Sequence, residues 1–352
     1  MLRQIARLGH AVPSLSPKAW AVAIYASAND DMVVAREAGF EGVACVDDAA
    51  RALELYCELW RTTKLPWTRA WCEGLLDFIL AMQDDDGRWV NFIRDWEGTP
   101  NRVGRTSVAG GEFWQARAML CLAKASLVLD DPRVARALQS GLPHLIENSA
   151  PSDVRSLHVL AVQAMSSSGQ HGDLRAVLST WCDELVACSQ GDVLMNSSWE
   201  RGEPHLWAHY QESALVGASV YLDRPELLEV ARRSGEDLFA DVIHSGFDRE
   251  LTCAFDVAVS CDVMTRLAHV SVDKKYEVLA NEARAWFGGR NPTGQPVYDR
   301  EKGRAADGID NGRLNDNSGA ESNIVGAQTL MDEMKVMAKV LPISEVSGPG
   351  WT

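Results

Sequence analysis

The sequence lacks any long hydrophobic run. No stretch of its 352 residues approaches the roughly eighteen apolar positions that indicate a membrane-spanning helix. The first seven residues are amphipathic and do not provide the apolar segment of a secretory signal peptide. We therefore expect a cytoplasmic protein that does not insert into a membrane.

Basic residues are also scarce. Lysine and arginine number 34 against 49 aspartates and glutamates, which gives a formal net charge of −15. Phosphate polyanions and anionic lipid surfaces repel a protein of this charge. The balance argues against nucleic acid as a partner and favours neutral or cationic ligands.

Metal-binding and disulfide patterns are missing as well. The sequence contains no C-x-x-C, no H-E-x-x-H and no His/Cys cluster at zinc spacing. Most of its eight cysteines fall on the apolar stripes of helical segments, where we expect buried, reduced thiols. The sequence therefore predicts neither a metal nor another cofactor.

Helical periodicity is abundant. Apolar residues recur at spacings of three and four in eleven segments, and a twelfth candidate lies at 17–27. The eleven segments are 48–63, 68–82, 112–129, 133–147, 153–167, 174–188, 207–222, 226–243, 256–270, 275–288 and 319–341.

Short turns ending in proline join several of these segments, at 63–66, 129–132 and 222–225. Proline suits the first turn of a helix, so each turn predicts a helical hairpin. Six hairpins can close into an all-α (α/α)6 toroid with a funnel at one end of the inner helices, or stack into an open solenoid. No strict repeat is visible, which favours the toroid. We expect one domain over 1–352, with 1–15 and 343–352 as peripheral tails.

The loop between Trp286 and Glu321 is far longer than a connection in a compact domain requires. Its hydrogen-bonding groups suit a ligand with many hydroxyls, such as a sugar. Ser318 and Glu321 also fit a capping box, which would explain both without a ligand. The predicted sugar-binding residues of this loop are Arg290, Asn291, Tyr298, Asp299, Asp307, Asn315, Asn317 and Glu321.

Four further polar clusters lie at the starts or ends of helical segments. In the first, Asp47 can cap the helix while Asp48 faces the funnel as an acid or base, and Arg51 follows one turn later. In the others, carboxylates, amides and aromatic rings could enter the funnel. The predicted residues there are Asn91, Glu112, Trp114, Tyr210 and Glu212.

These motifs resemble those of bacterial six-hairpin toroid proteins that occur beside glycosyltransferases and mannoside phosphorylases. The segment 42–52 resembles G-Y-C-T-D-D-N-A-R-A, and 89–93 resembles F-x-N-F-M. Glu112 and Arg117 match S-E-D-S-H-G-R-A-L-W, and 289–291, 298–299, 307–308 and 315–322 match G-R-N-D, Y-D, D-G-L and N-x-N-x-G-A-E-S-T. The resemblance implies a carbohydrate-active, six-hairpin glycosidase-like protein that associates with a glycosyltransferase.

The chain departs from these motifs at several positions. Val46 replaces the threonine before the acidic pair, Ala49 replaces the asparagine after it, and Gln115 replaces a histidine that could carry a proton. The family's activity therefore does not transfer unchanged.

Glycoside hydrolysis is the leading functional hypothesis, because it requires a carboxylic acid and a second carboxylate. The sequence offers Asp48 as the base and Glu112 as the acid, with Asp47 as a further catalytic candidate and an oligosaccharide or glycoside as substrate. The alternative is a non-catalytic sugar-binding or scaffold protein that works with a glycosyltransferase. A polysaccharide lyase would need an anionic substrate, against which the net charge argues.

Overall fold

The computed structural model describes residues 1–27, 40–169 and 173–350. In this part of the chain we find fourteen α-helices. They are α1 (Leu2–Leu8), α2 (Val46–Thr63), α3 (Pro66–Ala81), α4 (Glu112–Ala125), α5 (Pro132–Glu147), α6 (Ser152–Ser168), α7 (Arg175–Ala187), α8 (Gln211–Leu222), α9 (Pro225–His244), α10 (Ala254–Ser271), α11 (Lys274–Ala285), α12 (Ala320–Thr329), α13 (Met331–Val340) and α14 (Ile343–Val346).

Short strands of two or three residues lie in the segments between these helices. They are β1 (Gly9–Ala11), β2 (Trp20–Val22), β3 (Ala44–Cys45), β4 (Phe92–Ile93), β5 (Ser189–Gln190), β6 (Val193–Leu194), β7 (Leu251–Cys253), β8 (Tyr298–Asp299), β9 (Arg304–Ala305), β10 (Gly308–Asp310) and β11 (Arg313–Leu314). Every pairing among them is antiparallel, in the orders β1-β2, β3-β4, β5-β6, β8-β9 and β11-β10-β7.

The chain forms two compact units. The first unit comprises 1–147, 298–307 and 315–352, and the second comprises 148–297 and 308–314. In the first unit, α2 packs against α3, α4 and α12, while α4 packs against α5. In the second unit, α8 packs against α6, α9 and α10, and α10 packs against α11.

Helical hairpins are the repeating element in both units, as predicted. The pairs α2/α3, α4/α5 and α12/α13 belong to the first unit, and α6/α7, α8/α9 and α10/α11 belong to the second. Pro66 and Pro225 stand in the first turns of α3 and α9, while Lys64 and Asp223 end the preceding helices in the left-handed conformation. The proline turns therefore end one helix and start the next.

Inner and outer helices differ in burial. Eleven of the fourteen residues of α4 are buried, against five of the sixteen in α5. Alanines let α4 approach its neighbours closely, whereas α5 exposes one face to solvent. All eight cysteines are free thiols, and six of them are buried.

Three predictions about elements are wrong. The segment 17–27 contains strand β2, and the predicted helix 319–341 is two helices, α12 and α13. The predicted helix 207–222 begins only at Gln211. Twelve hairpin helices result all the same.

The terminal segments contribute to the core of the first unit. Helix α1 buries Leu2, Ile5 and Leu8 and packs against α12 and α14. Near the other end, the Trp71 indole N–H donates to the carbonyl of buried Val346 over 2.9 Å. These contacts correct the expectation of peripheral tails. None of the described helices is long and apolar enough to cross a membrane.

Candidate functional site

The beginning of α2 is the centre of a polar cluster in the first unit. Strands β3 and β4 pair just ahead of α2 and bring Asn91 beside it. The Asp47 N–H donates to Asn91 Oδ1 over 3.2 Å, while the Asp48 N–H donates to Sγ of the N-cap residue Cys45 over 3.5 Å. Because Asn91 and Cys45 satisfy these helix-end donors, the carboxylates of Asp47 and Asp48 are available for other partners. The prediction that Asp47 caps the helix is wrong.

Asp48 is a buried carboxyl group with a strongly perturbed pKa. It is 3% exposed, and Arg51 Nη1 donates to its Oδ1 over 2.7 Å. Burial raises the pKa of Asp48 to about 6; Arg51 opposes the rise, and Glu321 and Asp47 add to it. Desolvation penalises the charged form of an acid, so Asp48 exchanges its proton close to neutral pH.

Arg51 links Asp48 to Glu321. Its Nη2 lies 2.8 Å from Glu321 Oε2, and the Glu321 side chain is 43% exposed. One guanidinium group thus holds a buried and a solvent-accessible carboxyl group. Two carboxyl groups that share one guanidinium lie less than about 8 Å apart. Retaining glycosidases place their two carboxyl groups roughly 5–5.5 Å apart and inverting glycosidases roughly 6.5–9.5 Å apart, so the pair is close enough for either class.

The predicted capping box at the start of α12 is wrong. The N-cap residue is Gly319, and it makes no side-chain cap. Its N–H donates to Asp307 Oδ1 over 2.7 Å, and the Ser318 hydroxyl donates to the Ala305 carbonyl over 2.7 Å. Asp307 therefore accepts the N-cap N–H, which is the role expected of Glu321, and Glu321 pairs with Arg51 instead.

A second arginine completes the cluster. Arg117, from α4, lies with its Nε 3.0 Å from Asp47 Oδ1, and its guanidinium lies 5.5 Å from the centre of the Phe113 ring. Asn91 Nδ2 donates to the Thr106 carbonyl over 3.0 Å, with a weaker contact of 3.4 Å to Asp47 Oδ2. We call Asp47, Asp48, Arg51, Asn91, Arg117 and Glu321 the Asp48 cluster.

Two residues predicted near this site lie apart from it. Glu112 begins α4 but is exposed, and it pairs with no member of the Asp48 cluster among the described residues. Trp114 is buried, and its indole N–H is shared by the carbonyls of Trp89 and Val108. The ring packs on Gly111, where a Cβ atom would lie 1.7 Å from it, so Trp114 and Gly111 shape the start of α4.

Several polar side chains of the long loop make contacts that stabilise the loop itself. Asn291 Nδ2 donates to the carbonyls of Trp286 and Gln295, and Arg290 pairs with Glu282 over 3.1 Å. Asp299 Oδ1 accepts two backbone N–H groups in the β8-β9 turn. The density of polar residues here reflects turn-making more than ligand contact.

The remaining loop residues behave similarly. Tyr298 is buried under the guanidinium of Arg300, 4.9 Å from its ring centre. Asn315 Oδ1 accepts the Asn317 N–H over 2.8 Å, and the Asn317 carbonyl accepts the Asp307 N–H over 2.9 Å. Glu321 is therefore the one predicted loop residue that the structure pairs with the Asp48 cluster through a described contact.

The second unit contains its own predicted residues. Glu212 is fully buried, and its Oε1 accepts the Ser234 hydroxyl and lies 3.2 Å from His209 Nε2. Tyr210 is half-buried directly before α8. Glu212 thus belongs to an internal network of the second unit.

Sequence reasoning did not give Arg117 a role in the site. The signal was present, because Arg117 matched the family motif together with Glu112. The two residues lie on different faces of α4. Arg117 contacts Asp47, whereas Glu112 is exposed at the start of the helix.

The Asp48 cluster combines several chemical capacities. A carboxyl group with a pKa near 6 can donate or accept a proton at neutral pH. An accessible carboxylate and two guanidinium groups can orient hydroxyls and stabilise developing negative charge.

The sequence matches no family model, and no curated protein sequence resembles it significantly. The structure resembles that of a sugar epimerase from a ruminal bacterium, with 11% identity and a TM-score of 0.69, covering 97% of this chain and 99% of the epimerase. A D-mannose isomerase is similar at 9% identity and a TM-score of 0.69, covering 95% of both chains.

A glycoside hydrolase is also similar. The GH76 α-mannanase BT2949 of Bacteroides thetaiotaomicron has 11% identity and a TM-score of 0.57, with 85% of this chain and 88% of the mannanase covered. Identities this low establish the fold alone. They confirm the predicted fold class, an all-α (α/α)6 toroid.

Proposed function

We propose that the protein is a carbohydrate-active enzyme that cleaves a glycosidic bond with the carboxyl groups of the Asp48 cluster. The observation that carries this proposal is the pairing of buried Asp48 and accessible Glu321 with one guanidinium group, that of Arg51. Glycoside cleavage needs one carboxyl group that is protonated and another that is ionised. Burial favours the protonated form of Asp48, and exposure to solvent favours the ionised form of Glu321.

The roles follow from the environments of the two groups. Asp48, whose pKa is about 6, acts as the acid that protonates the leaving oxygen. Glu321, paired with Arg51 and open to solvent, acts as the carboxylate that attacks or activates water. This assignment changes the one made from sequence, where Asp48 was the base and Glu112 the acid.

Sugar epimerisation or isomerisation is the second candidate. These reactions move a proton on a carbon next to a carbonyl group, and they need a base with a pKa near the working pH and positive charge beside the developing oxyanion. Asp48 fits the base, and Arg51 and Arg117 fit the positive charge. The structural similarity, over nearly the whole chain, to a sugar epimerase and to a D-mannose isomerase supports this candidate.

One experiment separates these functions. The full chain is incubated in D₂O with mannose- and glucose-containing oligosaccharides and with the free sugars, and the products are analysed by mass spectrometry and NMR. Hydrolysis produces shorter saccharides with new reducing ends, whereas epimerisation or isomerisation preserves the sugar's length and incorporates deuterium at carbon. Turnover should be lost in Glu321→Gln and retained in Glu112→Gln.

The same experiment tests the non-catalytic alternative. A sugar-binding or scaffold protein would bind members of the panel without converting any of them. That outcome would refute both catalytic proposals. The predicted association with a glycosyltransferase stays a prediction, which co-purification of the protein with a glycosyltransferase from its native cells would check.

A further inference from the structure

The second unit carries an aromatic platform that the proposed chemistry does not use. In the loop before α8, the rings of His205 and Trp207 stack at a centroid distance of 3.9 Å and an angle of 8°. Trp207 is 41% exposed although it is a large apolar ring. Asn196 holds the loop in place by donating from Nδ2 to the His205 carbonyl over 3.0 Å.

The hydrogen-bonding state of His205 follows from its neighbours. Its Nδ1 lies 2.8 Å from the Trp207 carbonyl oxygen. A carbonyl can only accept, so Nδ1 carries the proton and neutral His205 presents a lone pair at Nε2. Burial lowers the pKa of His205, which favours this neutral form.

The groups around Nε2 are also acceptors. Oδ2 of buried Asp153 lies 3.6 Å from Nε2, longer than a hydrogen bond. Glu200, whose charge acts on His205, has its Oε2 buried without a hydrogen-bond donor among the described residues. The site therefore offers several acceptors beside an exposed ring.

A ligand for this site must supply hydrogen-bond donors. Within the described residues, no group of three or more His, Cys, Asp and Glu side chains has a geometry that could hold a metal ion. An anion would be repelled by the carboxylates of Asp153 and Glu200. Sugar hydroxyls are donors, and the C–H face of a sugar ring packs well on an indole.

We propose that Trp207, His205 and Asp153 form a binding site for a neutral sugar ring in the second unit. His205 covers part of the Trp207 ring, so the sugar packs on the exposed remainder of the indole, and its hydroxyls donate past the edge of the ring to His205 Nε2 and to the carboxylate of Asp153. This inference rests on the proposed carbohydrate ligand, and it adds a specificity: uncharged sugars are accepted, and uronates or sugar phosphates are rejected.

Binding measurements test this site separately from turnover. Binding is measured by calorimetry on the full chain carrying Asp48→Asn, a substitution that should prevent conversion of the ligand. The probes are neutral mannose and glucose oligosaccharides. Adding Trp207→Ala should weaken binding about tenfold, and Trp207→Phe, which keeps a ring, by less than about threefold. His205→Asn preserves a donor near Nδ1 but removes the Nε2 acceptor, and it should weaken binding about fivefold. Trp199→Ala, at an indole that is 71% exposed outside the stacked pair, is the matched control and should change little.

The outcomes discriminate clearly. Undiminished binding in both Trp207→Ala and His205→Asn overturns the inference, and so does the absence of binding by any neutral probe. Tighter binding of an otherwise identical glucuronate-containing oligosaccharide also overturns it. Failure of the proposed function is a different result. In that case the wild-type chain converts no sugar, and this outcome does not depend on how tightly the variants bind their ligands.

Discussion

Replacing Asp48 with asparagine should stabilise the folded protein while abolishing its activity. The folded state holds the Asp48 proton up to a pKa of about 6, whereas the ordinary pKa of an aspartate, which applies in the unfolded chain, is 3.8. As pH rises between these values, the unfolded chain ionises first, so the wild type loses stability. Above pH 6 the whole penalty, about 3 kcal/mol, is present. Asparagine keeps a neutral acceptor for Arg51 and avoids this penalty.

The assay is thermal or urea unfolding of wild type and Asp48→Asn from pH 4 to pH 8, resolving the transition of the first unit. At pH 8 the variant should unfold about 6–12 °C higher, and at pH 4, where the carboxyl group of the unfolded chain is only partly ionised, the difference should shrink to about 1–2 °C. Asp316→Asn, an exposed change of the same type, should stay within about 0.5 kcal/mol of the wild type throughout. A variant less stable than wild type at pH 8 would show that the ion pair with Arg51 outweighs the desolvation of Asp48, and would refute the reasoning.

Three further predictions concern the same unit. If Asp48 is the acid, kcat/KM for hydrolysis should fall as pH rises through about 6, and a rate that rises there would assign Asp48 as the base. Arg51→Ala should lower the free energy of unfolding by about 3 kcal/mol at pH 8 and by less at pH 5, where Asp48 can protonate. Equal losses at pH 8 and pH 5, measured by denaturation, would argue against an interaction between Arg51 and ionised Asp48. Gly111→Ala should cost about 1–3 kcal/mol in unfolding measurements because its Cβ meets the Trp114 ring, whereas Gly288→Ala, with open space, should be nearly neutral.

The sequence predicted the hairpins well because their signals are local. A proline after a left-handed residue ends one helix and begins the next wherever the rest of the chain lies. The misassigned segment 17–27 shows the limit of this approach. A short apolar run such as Trp20–Val22 has no periodicity that separates strand from helix, and its pairing with Gly9–Ala11 decides the outcome.

Parts of the Asp48 cluster were predictable, and its pairings were not. The acidic pair and Arg51 stand out because two carboxylates exceed what one helix start requires. The partner of Arg51 depends on residue 321, which comes from the other end of the chain. The local pattern at Ser318 and Glu321 predicted a capping box, but in the structure Asp307 accepts the N–H of the N-cap residue Gly319. Tertiary contact thus overrode a correct local rule.

The link between Arg51 and Glu321 also constrains when the protein can act. Arg51 is synthesised 270 residues before Glu321, and α12 also provides Gln328, whose Nε2 donates to the Arg51 carbonyl over 2.9 Å. Helix α12 must leave the ribosome and dock on α2 before the pair of carboxyl groups exists. A nascent chain, or one truncated before α12, therefore holds Asp48 without Glu321, the second carboxyl group of the proposed reaction, and it should lack the proposed activity.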